Sequence, residues 1–338
     1  MQPVRFGPHR GADWLSRVAY GPGTTSPFCE RFTLIAQDPK HPRALFITLS
    51  ITHSKEGVTA TSSALFDDGI TGNHWLAEES WPMDRARIDP ERGGLGLGEC
   101  FLGDGSTQGL IHSGEFALSW ALHAPYGGLP HNLLGSDGLY SGRKLGHKVA
   151  LTVPSAPVTQ GHIEIWHTPG RYSQKTRLDC QGWHINQSHV FGHGTAGPYV
   201  HVHVPPSSVD ESGLSLDLFC LRTKVLGLLP TTLFLGDLQT PEGVKMARAW
   251  RYGGVLPTPT QASLPWQFTI SHSGATWRGE VLANPKRVVK LHGMHGGAYA
   301  LAFGATVRAS VTTADSKMRA IISDQALVEV GGPGAPLS

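Results

Sequence analysis

The chain has 338 residues, of which 40% are hydrophobic and 16% charged, and its formal net charge is +2 at pH 7. A chain of this length fits two domains of about 150 residues, each with its own core. The scattered positive charges, with no basic stripe, argue against a nucleic-acid or anionic-membrane surface, and no window approaches the ~20 apolar residues of a transmembrane helix.

Short runs that alternate hydrophobic and polar residues, separated by turns rich in glycine and proline, recur along the chain and predict β-strands. Residues 200–204, in which valines and histidines alternate, show the pattern most clearly. Residues 241–250 fit either a helix, with Pro241 in its first turn, or a further strand. The predicted strands are residues 32–36, 44–51, 59–66, 116–122, 148–153, 161–167, 199–204, 214–221, 233–238, 266–272, 276–282, 299–311 and 319–330.

These strands predict an all-β fold, because many short strands with Gly/Pro turns build sandwiches or barrels. Pro154 and Pro157 interrupt the strand pattern within residues 154–160. We therefore predict an N-terminal β-barrel or sandwich domain over residues 1–160 and a C-terminal β-barrel domain over residues 161–338.

The cysteines lie far apart, and no two of them form a Cys-x-x-Cys pair. This spacing favours free, buried thiols in a reducing compartment over disulfides. Residues 1–11 contain arginines but no apolar run after them, so no signal peptide is predicted. The sequence therefore predicts a cytoplasmic protein.

Polar and aromatic side chains with chemical potential are concentrated in residues 181–203. Imidazole, amide and indole groups on neighbouring strands can converge on a cavity, where they orient a polar group, donate a proton to an alkene or stabilise an enolate. The same side chains would also suit a polar barrel interior, or exposed strand faces with no function. The segment contains Gln181, Trp183, His184, Asn186, His189, His193, Tyr199, His201 and His203.

His201 and His203 are two residues apart, so both imidazoles face the same side of one predicted strand. Metal-binding barrels of the cupin type present two of their ligands in this way, and add a carboxylate shortly afterwards. Here Pro205 and Pro206 intervene, and Glu211 comes late. Two hydrogen-bonded or solvent-facing histidines are the default interpretation, and a metal site is the alternative.

Gly192, Gly194 and Gly197 have the spacing of a dinucleotide-binding motif. That motif works only when a helix N-terminus opens behind the glycines to meet the pyrophosphate. Pro198 and a β-patterned run come after the glycines here instead, which indicates a turn. No organic cofactor is predicted.

The order of these features resembles the lipocalin-like superfamily that includes carotenoid 1,2-hydratases, tocopherol-cyclase-like proteins and decalin-forming Diels–Alderases. Residues 31–50 form a strand pair around an Asp-Pro turn, and residues 114–120 are similar to a family strand of the form Gly-x-Phe-x-x-Ser-Trp that continues towards residues 139–144. Residues 161–167 and then 181–189 resemble a family hairpin strand and its Gln-Gly-His-Asn-Trp-Gly-like run.

In that run Gln181, the following glycine and His189 match by position. Trp183, His184 and Asn186 match in kind only, because their order is permuted. The resemblance implies two lipocalin-like β-barrel or sandwich halves with a ligand pocket within or between them. It also implies chemistry without a cofactor: protonation-triggered hydration or cyclisation of isoprenoids, or intramolecular cycloaddition of polyenes.

Our leading hypothesis is a cofactor-independent cyclase, or a related isomerase or hydratase, that acts on a hydrophobic polyene or terpenoid intermediate of specialised metabolism. An apolar pocket would fold the flexible substrate, and polar donors would polarise a carbonyl or protonate an alkene. The candidate catalytic residues are His189 for acid/base work, with Gln181, Asn186 and His184, and the candidate substrate-binding residues are Trp183, Trp120, Tyr199 and Tyr140.

Two other classes of protein remain open at this point. One is a metal-dependent enzyme of the cupin type, with His201 and His203 as metal ligands. The other is a non-catalytic carrier of an apolar small molecule, which would need the same cavity as the enzyme.

Overall fold

The structure is a computed structural model of the chain. Its described part consists of antiparallel β-strands and two short 3₁₀ turns, Met83–Arg85 and Pro285–Arg287, and contains no α-helix. The predicted all-β fold is therefore confirmed. The structure describes residues 20, 23–89, 94–103, 106–124, 131–132, 148–167, 174–193, 198–206, 214–225, 229–240, 243–249, 256–257, 261–262, 265–272, 275–292, 298–312 and 318–332.

The chain divides into two compact units. Unit 1 comprises Met1–Asp38 and Arg43–Gly194, and unit 2 comprises Pro39–Pro42 and Thr195–Ser338. Among the described residues there is no helix with the length and apolar character that crossing a bilayer requires.

Unit 1 contains two seven-stranded antiparallel sheets. Its strands are β1 (Phe28–Gln37), β2 (Arg43–Ser54), β3 (Gly57–Asp68), β4 (Asn73–Trp81), β5 (Ala86–Asp89), β6 (Gly94–Leu97), β7 (Cys100–Gly103), β8 (Ser106–Ser113), β9 (Phe116–His123), β10 (His131–Asn132), β11 (Lys148–Pro157), β12 (Gln160–His167), β13 (Gln174–Asp179) and β14 (His184–His193). One sheet has the order β10-β11-β14-β1-β2-β3-β4 and the other β13-β12-β9-β8-β7-β6-β5.

The two units differ from the predicted halves, residues 1–160 and 161–338. β14 pairs with both β1 and β11, and β12 pairs with β9, so residues 160–193 complete the two sheets of unit 1. The prolines at 154 and 157 lie in or beside β11, where the register with β14 shifts. They mark a bulge in a strand, and the last segment of unit 1 ends at Gly194.

Unit 1 buries an apolar core to which both of its sheets contribute. Phe32 and Leu34 of β1 lie opposite Leu49 and Ile47 of β2, and all four belong to this core. Trp120 of β9, from the other sheet, belongs to the same core. Of the residues of β1 that alternate with these, Thr33 and Ile35 are buried and Arg31 is half-buried. β1 is therefore largely covered on both faces, and a polar group on its core face is removed from water.

Unit 2 contains one nine-stranded sheet, ordered β18-β17-β16-β15-β23-β22-β20-β19 with β21 paired to β22. Its strands are β15 (Tyr199–Val204), β16 (Ser215–Val225), β17 (Leu229–Thr240), β18 (Gly243–Ala249), β19 (Trp266–His272), β20 (Ala275–Leu282), β21 (Val288–His292), β22 (Ala298–Thr312) and β23 (Met318–Gly332). The segment that the sequence left open between helix and strand forms β18.

Strands β4 to β8 were not predicted, because their sequence gives a weak signal. β5, β6 and β7 have only four residues each, and β6 and β7 contain glycines. Pairing with neighbours decides such short strands, and local sequence does not.

The cysteines Cys29, Cys100, Cys180 and Cys220 are free and buried, as predicted. Burial raises the pKa of the Cys100 and Cys180 thiols to about 12. Because the thiolate is the reactive form, these thiols are chemically inert at neutral pH.

Candidate functional site

His189 lies in the middle of β14 and points into the core of unit 1. Register sets this direction: His189 is directly opposite Phe32 of β1 and Leu151 of β11. Residues opposite each other in adjacent strands share a face of the sheet, and Phe32 faces the core. The imidazole ring stacks on the Phe32 ring, with 3.9 Å between centroids and 14° between planes.

Glu30 of β1 is the partner of His189. The Nε2 atom of His189 lies 2.8 Å from Oε1 of Glu30, and both side chains are 0% exposed. The second carboxylate oxygen of Glu30 accepts a hydrogen bond from the backbone N–H of Tyr20 at 2.7 Å. The core of unit 1 thus contains a fully buried carboxylate–imidazole pair with an aromatic ring beneath the imidazole.

Glu30 was not among the predicted site residues, although the sequence carries a signal for it. It is the only carboxylate in the strand sequence FCERFTLIAQ, two residues before Phe32 and therefore on the same face. A charged residue on the core face of an apolar strand requires a partner. Which residue would be the partner depends on the pairing with β14, 159 positions away in the chain.

His184 and Asn186 lie on the opposite face of β14 from His189. Their positions differ from that of His189 by odd numbers, and the register between β1 and β14 runs without a shift from His184 to His193. Asn186 is buried, with 3% exposure. The structure therefore does not bring these two side chains together with His189.

Burial lowers the pKa of His184 from its ordinary value of 6.5. Its Nδ1 atom is buried and has no hydrogen-bond partner among the described residues. The imidazole is therefore neutral at pH 7, a form that can accept a proton but holds none to donate as a cation.

This burial predicts a pH dependence of stability. As the pH falls below about 6.5, the unfolded chain takes up a proton at residue 184 before the folded chain does. The stability contributed by neutral His184 is thus complete above that pH and is lost as the pH falls towards the lower folded pKa. Urea unfolding from about pH 7.5 to about pH 5 is expected to show a steeper loss of stability in the wild type than in His184→Gln. Parallel pH profiles for the two proteins would contradict the assignment.

Gln181 and Trp183 lie in the turn between β13 and β14. Gln181 is exposed, and its backbone N–H donates to Asp179 Oδ1 at 3.0 Å. Gly182 has a φ of 82°, which favours glycine at this position of the turn. Trp183 is 4% exposed and belongs to the core of unit 1. The turn places Gln181 on the surface, away from the buried His189.

Trp120 is also a core residue of unit 1. It is 2% exposed, and its Nε1–H donates to Thr107 Oγ1 at 3.0 Å. Its ring lies over Gly109, where an added Cβ would come within 2.3 Å of it. Tyr140, predicted as a substrate contact, lies outside the described residues.

In unit 2, Tyr199 and His201 each pair with a carboxylate that was not predicted. The Tyr199 hydroxyl donates to Glu329 Oε1 at 2.6 Å, and His201 Nε2 lies 2.5 Å from Asp217 Oδ1. Asp217 and Glu329 each lie between two apolar residues of their strands, so their side chains are on the face opposite to those apolar residues. Tyr199 and Glu329 are 130 positions apart, and His201 and Asp217, on consecutive strands, are 16 apart, so the strand pairing had to be known before either pair could be identified.

The described residues include no group of three or more His, Cys, Asp or Glu side chains placed to hold a metal ion. His201 and His203 do share a face of β15, as the spacing predicted. The carboxylate next to His201 is Asp217 of β16, and it forms a hydrogen-bonded pair with the imidazole.

No family model matches this sequence, and no curated protein matches it. Solved structures of similar fold include an AttH-type protein from Nitrosomonas europaea, at a TM-score of 0.53 and 12% identity, covering 94% of this chain and 100% of that one. CghA, crystallised with Sch210972, has a TM-score of 0.54 and 10% identity, with 91% and 90% covered. Kievitone hydratase from Nectria haematococca has a TM-score of 0.50 and 10% identity, with 89% and 88% covered.

At such identities the likeness establishes the fold alone. It spans nearly the whole of this chain and of each similar structure. The chain therefore shares its all-β fold with these structures.

Proposed function

We propose that this protein is a cofactor-independent enzyme that cyclises or hydrates a hydrophobic polyene or terpenoid intermediate of specialised metabolism, intramolecular cycloaddition included. Kievitone hydratase, whose name states a hydration, shares the fold. CghA, which also shares it, was crystallised with Sch210972. These similarities support a small-molecule enzyme, and the choice of substrate class rests on the chemistry of the buried residues.

The buried pair of Glu30 and His189 is the observation that carries the proposal. Moving an ion pair out of water costs several kcal/mol per ion, and apolar residues of similar volume are often as stabilising or more so. A pair with 0% exposure beside Phe32 is thus an expensive feature of an apolar core. Such a buried pair is suited to general acid–base catalysis on an apolar substrate.

In this proposal the two residues have separate tasks. An ionised carboxylate only accepts hydrogen bonds, so with Glu30 ionised the Nε2–H of His189 is the donor of this bond. Nδ1 is then the atom through which the ring exchanges a proton with a substrate. Glu30 orients the ring and stabilises the imidazolium that forms, as the carboxylate of a catalytic triad does.

Hydration and cyclisation share the protonation step and differ in the step after it. In hydration, a proton from His189 adds to one alkene carbon, a water oxygen bonds to the resulting cation, and a proton returns to the ring. In cyclisation, a second alkene of the same molecule forms the new carbon–carbon bond, and the resulting cation returns a proton to His189. The apolar residues around His189 hold the flexible substrate in the reactive conformation, a proximity effect.

The test is conversion of acyclic polyenes and prenylated aromatic compounds by the purified full-length protein, with detection by liquid chromatography and mass spectrometry. A product heavier by one water indicates hydration, and a product of unchanged mass with fewer conjugated double bonds indicates cyclisation. Oxygen-18 water would label only the hydration product. Binding of these compounds without any conversion would identify a carrier and overturn the enzyme proposal.

We also propose a cytoplasmic location and a hydrophobic small molecule as the main partner. The four buried free thiols support a reducing compartment. Fractionation of cells that express the tagged protein would test the location, and recovery in a membrane or secreted fraction would contradict it.

A further inference from the structure

One face of β15 in unit 2 carries a row of polar side chains. Tyr199, His201 and His203 alternate with Val200 and Val202, which belong to the apolar core of the unit, so the polar groups face the other way. All three are buried, His203 with 1% exposure. The row is therefore a polar surface withdrawn from water.

His201 lies between two carboxylate-bearing residues on neighbouring strands. In the sheet register it is directly opposite Glu329 of β23, and its hydrogen-bond partner Asp217 of β16 is directly opposite His203. Asp217 and Glu329 are 9% and 0% exposed. The imidazole of His201 thus has a carboxylate within hydrogen-bond distance and a second one opposite it in the register.

Gly331 leaves the space that Tyr199 needs to reach Glu329. Tyr199 is directly opposite Gly331, and a Cβ at that position would lie 2.1 Å from the phenol ring. The ring therefore crosses β23 over the glycine, and its hydroxyl meets the carboxylate two residues away. Both hydrogen-bonded pairs are diagonal contacts of the kind that long side chains make across a sheet.

We propose that this face of unit 2 is a second proton-transfer site, separate from Glu30 and His189, that binds an apolar ketone and exchanges the hydrogen on the carbon next to its carbonyl. It is independent of the proposed function. His201 is the base, Asp217 its positioning partner, and His203 the donor to the carbonyl oxygen. Stacking of the Tyr199 and Phe219 rings, 5.8 Å apart, adds an apolar surface beside the row.

The spacing of the row fits this chemistry. Side chains two positions apart on a strand are separated by about 6.6 Å, a distance that a carbonyl oxygen and the adjacent C–H group can bridge with one contact at each end. A neutral imidazole always has one N–H to donate and one nitrogen to accept. Neighbouring carboxylates stabilise the imidazolium that forms on His201, as in a catalytic triad.

The step conserves atoms and electrons. The C–H bond next to the carbonyl breaks, the proton bonds to a ring nitrogen of His201, and the electron pair remains on the ligand as an enolate. The N–H of His203 stabilises the enolate oxygen. The proton, or a deuteron taken from solvent, then returns to carbon, and no oxidant or reductant is consumed.

The test uses 1-tetralone as the probe, an apolar ketone with exchangeable hydrogens, in deuterium oxide. Loss of its α-hydrogen signal in proton NMR gives the exchange rate with and without the full-length protein. The wild type is expected to accelerate exchange over buffer, and His201→Gln to reduce that acceleration by about 100-fold, the size of a lost acid/base group. Glutamine can still donate to Asp217, so the fold is retained while the basic nitrogen is lost.

Other outcomes overturn the proposal. Absence of acceleration by the wild type with 1-tetralone excludes an enolising site. Full acceleration in a folded His201→Gln protein shows that the histidine is structural. Exchange that is lost in His189→Ala but kept in His201→Gln assigns the proton transfer to unit 1. A surface substitution, His123→Gln, serves as the matched control, since that histidine is exposed.

Discussion

Replacing His189 with alanine is expected to reduce turnover of the true substrate by about two orders of magnitude, the usual effect of losing an acid/base group. The same change is expected to lower the free energy of unfolding by roughly 3–5 kcal/mol, because it leaves the carboxylate of Glu30 buried without its imidazole partner. Both side chains are 0% exposed, so water cannot replace the lost contact without rearrangement of the core.

A double replacement separates these two effects. In Glu30→Leu with His189→Leu, the buried pair becomes apolar, and the stability is expected to return to the wild-type value or above it. Turnover is expected to stay low, because no group remains to transfer the proton. Urea unfolding gives the stability, and a mass-spectrometric assay gives the turnover. Unchanged turnover in a folded His189→Ala protein would falsify the catalytic assignment, though not the fold.

Replacing Trp120 with alanine is expected to lower the free energy of unfolding by about 3–5 kcal/mol, the range for an aromatic side chain removed from a core. The ring is 2% exposed and fills the space above Gly109, so its removal leaves a cavity. It also leaves Thr107 without the indole donor. Urea or thermal unfolding of the purified variant measures the loss.

A tryptophan outside the core provides the matched control. Trp166 of β12 is only half-buried and packs against the ammonium group of Lys175, 4.5 Å from the ring centroid. Its replacement by alanine is expected to cost far less stability than that of Trp120. If the two variants lose equal stability, Trp120 is not a core residue in solution. If Trp120→Phe is fully stable but inactive, its predicted role as a wall of the substrate pocket is favoured instead.

Strand prediction succeeded where hydrophobic and polar residues alternate along the sequence. β15, β16, β22 and β23 have bounds close to the predicted ones for this reason. β14 was recognised only as a segment rich in functional groups, because polar residues occupy many of its positions on both faces. Its strand character comes from its place between β1 and β11, where each neighbour supplies backbone hydrogen bonds.

The predicted site residues likewise divide into those that lie beside a buried carboxylate and those that the fold places elsewhere. His189 was identified by residue type and by resemblance, and Tyr199 by residue type, and each proves to be buried next to a carboxylate. Gln181 was placed in the same set because it matches the family run by position, but a turn puts it on the surface. Asn186 was included because it matches that run in kind, yet strand alternation turns it to the other face of the sheet from His189.

Local sequence was enough to establish the all-β class, the free buried thiols and the segment in which the polar groups are concentrated, because alternation, turn residues and residue types are local properties. The division at Gly194 and the carboxylate partners of the histidines emerge only in the folded chain. Antiparallel pairing sets both of these, and for Glu30 and His189 it joins residues 159 positions apart in the chain. The physical reason is that register is a property of two strands together, so neither strand encodes it alone.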